Sequence, residues 1–151
     1  MTITERMNQS MRQLAPQPTR RSALESSLRI LLDAGFVERD GCVFLALEAD
    51  SAPGGNLLDQ TGREALINHV HIDDRLGRSD RDEVLGQGWL YAHGLADRLA
   101  SAFPGRAFDV VFAVGDSSTV RFYRRRATEA PWILSDLESY KHEAMLVLMI
   151  E

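Results

Sequence analysis

Two β-rich runs, FDVVFAV and TVRFYRR, flank the turn sequence Gly115-Asp116-Ser117-Ser118, and each sorts its residues onto two faces by alternation. This period of two commits the last third of the chain to an antiparallel hairpin. Phe108, Val110, Phe112 and Val114 fall on one face of the first strand, with Asp109, Val111 and Ala113 on the other. On the return, Val120 and Phe122 face the core, while Thr119, Arg121, Tyr123 and Arg125 point the opposite way. Residues 144–150 (AMLVLMI) are apolar throughout, which predicts a strand covered on both faces and central in the sheet.

Other elements follow from the same kind of reasoning. Residues 36–47 predict a second hairpin, because Asp40-Gly41 tolerates positive φ at both turn positions. Its returning strand, with Val43, Leu45 and Leu47 on one face and Phe44 and Ala46 on the other, has the pattern of an interior strand. Residues 64–72 predict a further strand, with Leu66, Asn68, Val70 and Ile72 on one face and Ile67, His69 and His71 on the other. A helix is predicted over residues 20–34 from Leu24, Leu28, Leu31 and Leu32, with Ser22 and Glu25 at capping-box spacing and Gly35 as its stop. A longer helix over residues 80–102 opens at Ser79. It buries Val84, Leu85, Trp89, Ala92, Leu95, Ala96 and Leu99, and Phe103-Pro104-Gly105 ends it. Its glycines 86, 88 and 94 imply close approach to a sheet. Residues 136–140 predict a helical turn.

The expected fold is therefore α+β: a mostly antiparallel sheet of five to six strands packed against two helices, in the order α-β-β-β-α-β-β-β. With 151 residues the chain fits one domain. Residues 20–151 are expected to form it. Residues 1–19, polar and carrying Pro16 and Pro18, are expected to be a flexible N-terminal arm, although Met7, Met11 and Leu14 have helical spacing. The polar N-terminus lacks an apolar signal core, no apolar run is long enough to cross a bilayer, and the single cysteine, Cys42, excludes a disulfide framework. A cytoplasmic location is the expectation, with no membrane contact.

The charge balance, 17 Lys+Arg against 22 Asp+Glu, argues against free nucleic acid as the ligand. No P-loop, GxGxxG, HExxH or zinc-finger spacing occurs, so no cofactor is expected. His69-Val70-His71-Ile72-Asp73-Asp74 resembles part of the HxHxDH signature of metallo-β-lactamase-type hydrolases, without its last histidine. Two histidines one residue apart on a strand point the same way, so His69, His71 and Asp73 are candidate metal ligands of a small metal-dependent enzyme. The alternative is an ordinary polar strand face followed by an acidic turn. Gly115-Asp116-Ser117 resembles the GDS motif of lipase-like hydrolases, but it stands late in the chain between strands, where turn chemistry explains it. The triplet Arg124-Arg125-Arg126 at a strand end could meet a phosphate or an acidic surface, or simply be solvated.

The acid excess is localised. Residues 48–83 hold nine acids and four arginines, a difference equal to the whole-chain charge of -5. An acidic surface of this kind steers a basic partner. Candidate partner-binding residues are Glu48, Asp50, Asp73, Asp74, Asp80, Asp82 and Glu83. Tyr91 and Trp132 are the expected exposed aromatic anchors.

From Phe103 onward the chain reads FPGRAFDVVFAVGDSSTVRFYRRRATEAPWILSDLESYKHEAMLVL. Its FxVxFAVGDS strand, returning VRFYRRR strand, E-x-P-W and Y-x-x-E-A-x-L-V segments resemble small bacterial immunity proteins of polymorphic and contact-dependent growth inhibition systems. The resemblance implies a non-catalytic protein that binds a cognate toxin domain and occludes its active site.

Overall fold

The computed structural model describes residues 1–14, 23–51, 59–77 and 80–151. In chain order the elements are β1 (Thr2–Ile3), α1 (Glu5–Gln13), α2 (Ser26–Ala34), β2 (Phe36–Arg39), β3 (Cys42–Leu45), α3 (Gln60–Ile67), β4 (His69–His71), α4 (Ile72–Leu76), α5 (Arg81–Ala102), β5 (Phe108–Val114), β6 (Ser118–Arg124) and β7 (Ala144–Ile150). Short 3-10 turns stand at Ala49–Ser51 and Leu137–Ser139. The fold is α+β. A five-stranded antiparallel sheet has the order β1-β7-β5-β6-β4, and β2 and β3 form a separate hairpin.

The β5–β6 hairpin forms as its alternation predicts. Phe108, Val110, Phe112, Val120 and Phe122 build the main core with Leu95 and Leu99 of α5. Gly88 makes the helix-to-sheet contact possible, since a Cβ there would overlap the Phe112 ring. The Asp40-Gly41 turn takes φ of 52° and 77°, as the hairpin requires. Strand β7 pairs with β1 on one side and β5 on the other, so β5, not β7, is the middle strand. Asp136 caps the predicted turn near residue 137 through Glu138 N–H.

Four expectations need correction. Residues 1–14 are not a free arm. Strand β1 pairs with β7, and Met7 and Met11 of α1 are buried in the core. Thr4 anchors the start of α1. Its Oγ1 accepts from Met7 N–H at 3.2 Å and from Met145 N–H at 2.9 Å. The methionine spacing outweighs the polar composition. The rest of that segment lies outside the described residues, as does Ser22, and the helix expected over residues 20–34 is observed over Ser26–Ala34.

The strand expected over residues 64–72 is instead a helix, a short strand and another helix. Asp59 accepts from Gly62 N–H at 2.7 Å and nucleates α3, leaving only His69–His71 extended. Leu66, expected to share a face with Asn68, Val70 and Ile72, is exposed while those three are buried.

Strand β3 is buried yet not interior to the large sheet. Its free edge is met by side chains of α3. Val43 N–H donates to Glu64 Oε1 (2.8 Å), and Leu45 N–H donates to Asn68 Oδ1 (2.9 Å). Asn68 Nδ2 donates back to Val43 O (2.8 Å). Two side chains one helical turn apart thus substitute for a missing strand.

On α5, Tyr91 is fully buried and Trp89 only partly so, the reverse of the expectation. Ser79 lies outside the described residues. Asp80 is the N-cap, accepting from Asp82 N–H (3.0 Å) and Glu83 N–H (3.2 Å).

Candidate functional site

The sheet face away from α5 carries Val111, Ala113, Tyr123, Met145 and Val147. Ala65 of α3 and Leu137, with Ile133 and Tyr140, cover its middle. That cover leaves two openings at diagonal corners: a polar cleft beside β4 and β6, and an apolar groove beside β7 and β1.

The polar cleft has a volume of about 590 Å³. One wall is strand. His69 pairs in register with Arg121, and His71 with Thr119, so all four side chains share this face. The other wall is the chain from Ser139 to Glu143 as it enters β7, and the Gly115–Ser117 turn closes the end. The His69 and His71 rings lie 4.5 Å apart. Burial first, then the Arg121 and His71 charges, push His69 down to about 4, so it is neutral near pH 7. Nε2 of His69 is buried with no hydrogen-bond partner among the described residues. Burial also lowers Arg121, which nonetheless stays charged.

Asp73 does not join the two histidines. It lies in α4 and lines a neighbouring cleft of about 430 Å³ with Arg6, Arg81 and Asp116, its Oδ1 accepting from Ser118 N–H at 3.4 Å. Among the described residues no three His, Cys, Asp or Glu side chains converge as a metal cage would require. A cation at His69 and His71 would also face the Arg121 guanidinium. The Gly115–Ser118 segment is the β5–β6 turn, with Gly115 N–H donating to Ser117 O at 3.0 Å. Cys42 is buried, and desolvation, helped by Glu64, raises its thiol pKa, which keeps it protonated.

The acids of residues 48–83 do not form one patch. Glu64 is fully buried and paired with Arg126. Glu48 pairs with Arg75 at 2.6 Å, and Asp50 with Arg39 at 2.8 Å. Asp73, Asp74, Asp80, Asp82 and Glu83 do gather on the shoulder made by α4 and the start of α5, although Arg81 stands among them. Tyr91 is withdrawn as a surface anchor because it has no exposed area. Trp132 is 38% exposed, but at the opposite end of the sheet from the acids. Its neighbours Pro131 and Ile133 lie beside Asp109, whereas Asp73 meets Ser118, the register partner of Val114. Five residues of β5 separate these ends, about 17 Å.

The apolar groove is about 520 Å³ and is lined by Pro131, Ile133, Leu134, Leu137, Val147 and Met149, with Thr2 and Asp109. Leu134 and Met149 are 60% and 47% exposed. Sequence reasoning missed both this groove and the role of Arg121. The alternation did place Thr119 and Arg121 on the non-core face, but nothing local pairs that face with the histidine strand.

Fold and openings define an α+β domain whose described residues form neighbouring polar clefts near the β5–β6 turn and an apolar groove beside β7 and β1. The model of the uncharacterized protein PM0498 family matches residues 6–150, and the chain belongs to that family. No curated protein and no solved structure matches it. No helix of the described residues is long and apolar enough to cross a membrane.

Proposed function

We propose that the chain is a binding protein of the immunity type, which neutralises a cognate bacterial toxin domain by covering its working surface. The apolar groove beside β7 carries this reading. Leu134 and Met149 expose large apolar side chains in one depression, Trp132 is exposed between its lining residues Pro131 and Ile133, and such a cluster marks a protein-contact surface. Burying an aromatic and two aliphatic anchors supplies affinity at the centre of an interface. The acids of α4 and the start of α5 lie too far away to share that centre. Their part is steering, drawing a basic partner in and setting its orientation. The resemblance of residues 103–151 to immunity proteins supports the same reading, since those residues build β5, β6, β7 and the groove itself.

The test is co-expression with the toxic C-terminal domain of a secreted protein encoded beside this gene. Protection of growth, weakened by Leu134→Asp combined with Trp132→Ala in a folded variant, is the expected result. Absence of protection and of binding to that domain overturns the proposal.

A further inference from the structure

The three arginines that end β6 and its extension contrast with Arg121 inside it. Arg126 is held in a two-pronged pair by Glu64, and Arg125 is paired with Asp109 and Glu151. Arg121 is half-buried, and its guanidinium makes no hydrogen bond or ion pair with any described residue; Glu143 acts on it only as a charge through space. A partly buried guanidinium that faces a cleft without a protein acceptor is ready to donate to an anion entering there. Next to it stand the rings of His69 and His71, the first with an orphan ring nitrogen. Across the cleft, Lys141 offers a further donor. The two carboxylates of this cleft keep to its turn end. Asp116 is in the turn, and the Glu143 side chain packs on Gly115. Arg121 stands three residues into β6, roughly 10 Å deeper.

We propose that this cleft binds a small phosphorylated molecule, with Arg121 as the anchor of the phosphate and Thr119, His71 and Lys141 as further donors. A tetrahedral dianion accepts from both walls at once, which a planar carboxylate does less well, and the fork of an arginine matches two of its oxygens. The volume exceeds what a bare phosphate fills and suits a ligand of metabolite size. The overall acidity of the chain disfavours a long polyanion in its place.

The experiment follows the histidine ring signals of the full chain by NMR during titration with inorganic phosphate, then with adenosine monophosphate, each against chloride at matched ionic strength. Saturable shifts of His69 and His71, with His93 unmoved, are expected. Arg121→Gln should weaken binding by about tenfold or more. If Arg121→Gln does not fold, Thr119→Val combined with Lys141→Gln is read in the same way. No saturable shift with either ligand in the wild type, or an unchanged affinity in the folded variant, overturns the proposal. Leu134→Asp should leave the phosphate titration unchanged, which separates this site from the partner surface.

Discussion

Glu64 of α3 and Arg126 beyond β6 form a two-pronged ion pair, with Nη1 donating to Oε2 at 3.0 Å and Nη2 to Oε1 at 2.8 Å. The Arg126 side chain is 8% exposed and that of Glu64 is fully buried. The same carboxylate accepts from Val43 N–H (2.8 Å) and Arg124 N–H (2.6 Å), so it ties the small hairpin to the large sheet. Burial works to lower the Arg126 pKa, and the hydrogen bond and charge of Glu64 outweigh it. Removing one member of such a pair strands the other. Glu64→Ala is therefore expected to cost about 3–5 kcal/mol. Glu64→Gln, which keeps one acceptor, should cost less. Urea denaturation measures both, and a loss below about 1 kcal/mol for Glu64→Ala contradicts the assigned role.

The sequence makes some of this legible and hides the rest for physical reasons. The β5–β6 hairpin and the Asp40-Gly41 turn are local: period and turn chemistry act within a few residues. Helix α3 is hidden because Leu66, Asn68, Val70 and Ile72 mimic a strand, while the deciding signal is the single cap at Asp59. Trp89 and Tyr91 are two residues apart and so lie on nearly opposite sides of the helix, and the Gly88–Phe112 contact marks the side that meets the sheet. The candidate cleft is half legible. His69 with His71, and Thr119 with Arg121, each share a face by alternation. Their meeting requires the β4–β6 pairing, a long-range event without a local signature.

Two glycines of α5 are predicted to respond in opposite directions to the same substitution. A methyl at Gly88 would overlap the Phe112 ring, so Gly88→Ala should destabilise by about 1–3 kcal/mol despite the better helix propensity. At Gly86 the nearest atom, Leu14 Cδ2, is 3.7 Å away, an ordinary contact. Gly86→Ala should therefore stabilise by about 0.5–1 kcal/mol. Thermal melts of the pair decide it; a shift of the same sign in both contradicts the close approach at Phe112.

The neutral state of His69 makes stability depend on pH. Its pKa falls from 6.5 to about 4 on folding, first through burial, then through the Arg121 and His71 charges. Between those values the unfolded chain binds more protons than the folded one, so this group makes stability rise with pH across that window. Lys141, His142, Tyr140, Asp116 and Glu143 also line the cleft. For that reason the site-specific reading is the NMR midpoint of the His69 ring, expected near 4. Arg121→Gln should move it upward by removing a repelling charge. Denaturation at pH 5 and pH 7 should differ less in His69→Gln than in the wild type. A His69 midpoint at 6.5 would contradict the burial of the ring.

Steering by the acidic shoulder can be separated from structural effects by the choice of residue. Asp80 caps α5, and Asp73 accepts from Ser118 N–H, so reversing either disturbs the fold itself. Asp74 and Asp82 carry no such side-chain bond among the described residues and are exposed. Asp82 still favours the helix dipole, so Asp82→Lys costs about 0.3–1 kcal/mol, a loss the domain should tolerate. The double variant Asp74→Lys with Asp82→Lys should slow association with a basic partner domain by about tenfold at low salt and leave dissociation nearly unchanged. The difference should shrink as the Debye length falls from about 30 Å at 0.01 M salt to about 8 Å at 0.15 M. Stopped-flow association rates at the two salt concentrations check this. A rate equal to wild type at low salt would remove the acids from the encounter and leave the apolar groove as the contact surface.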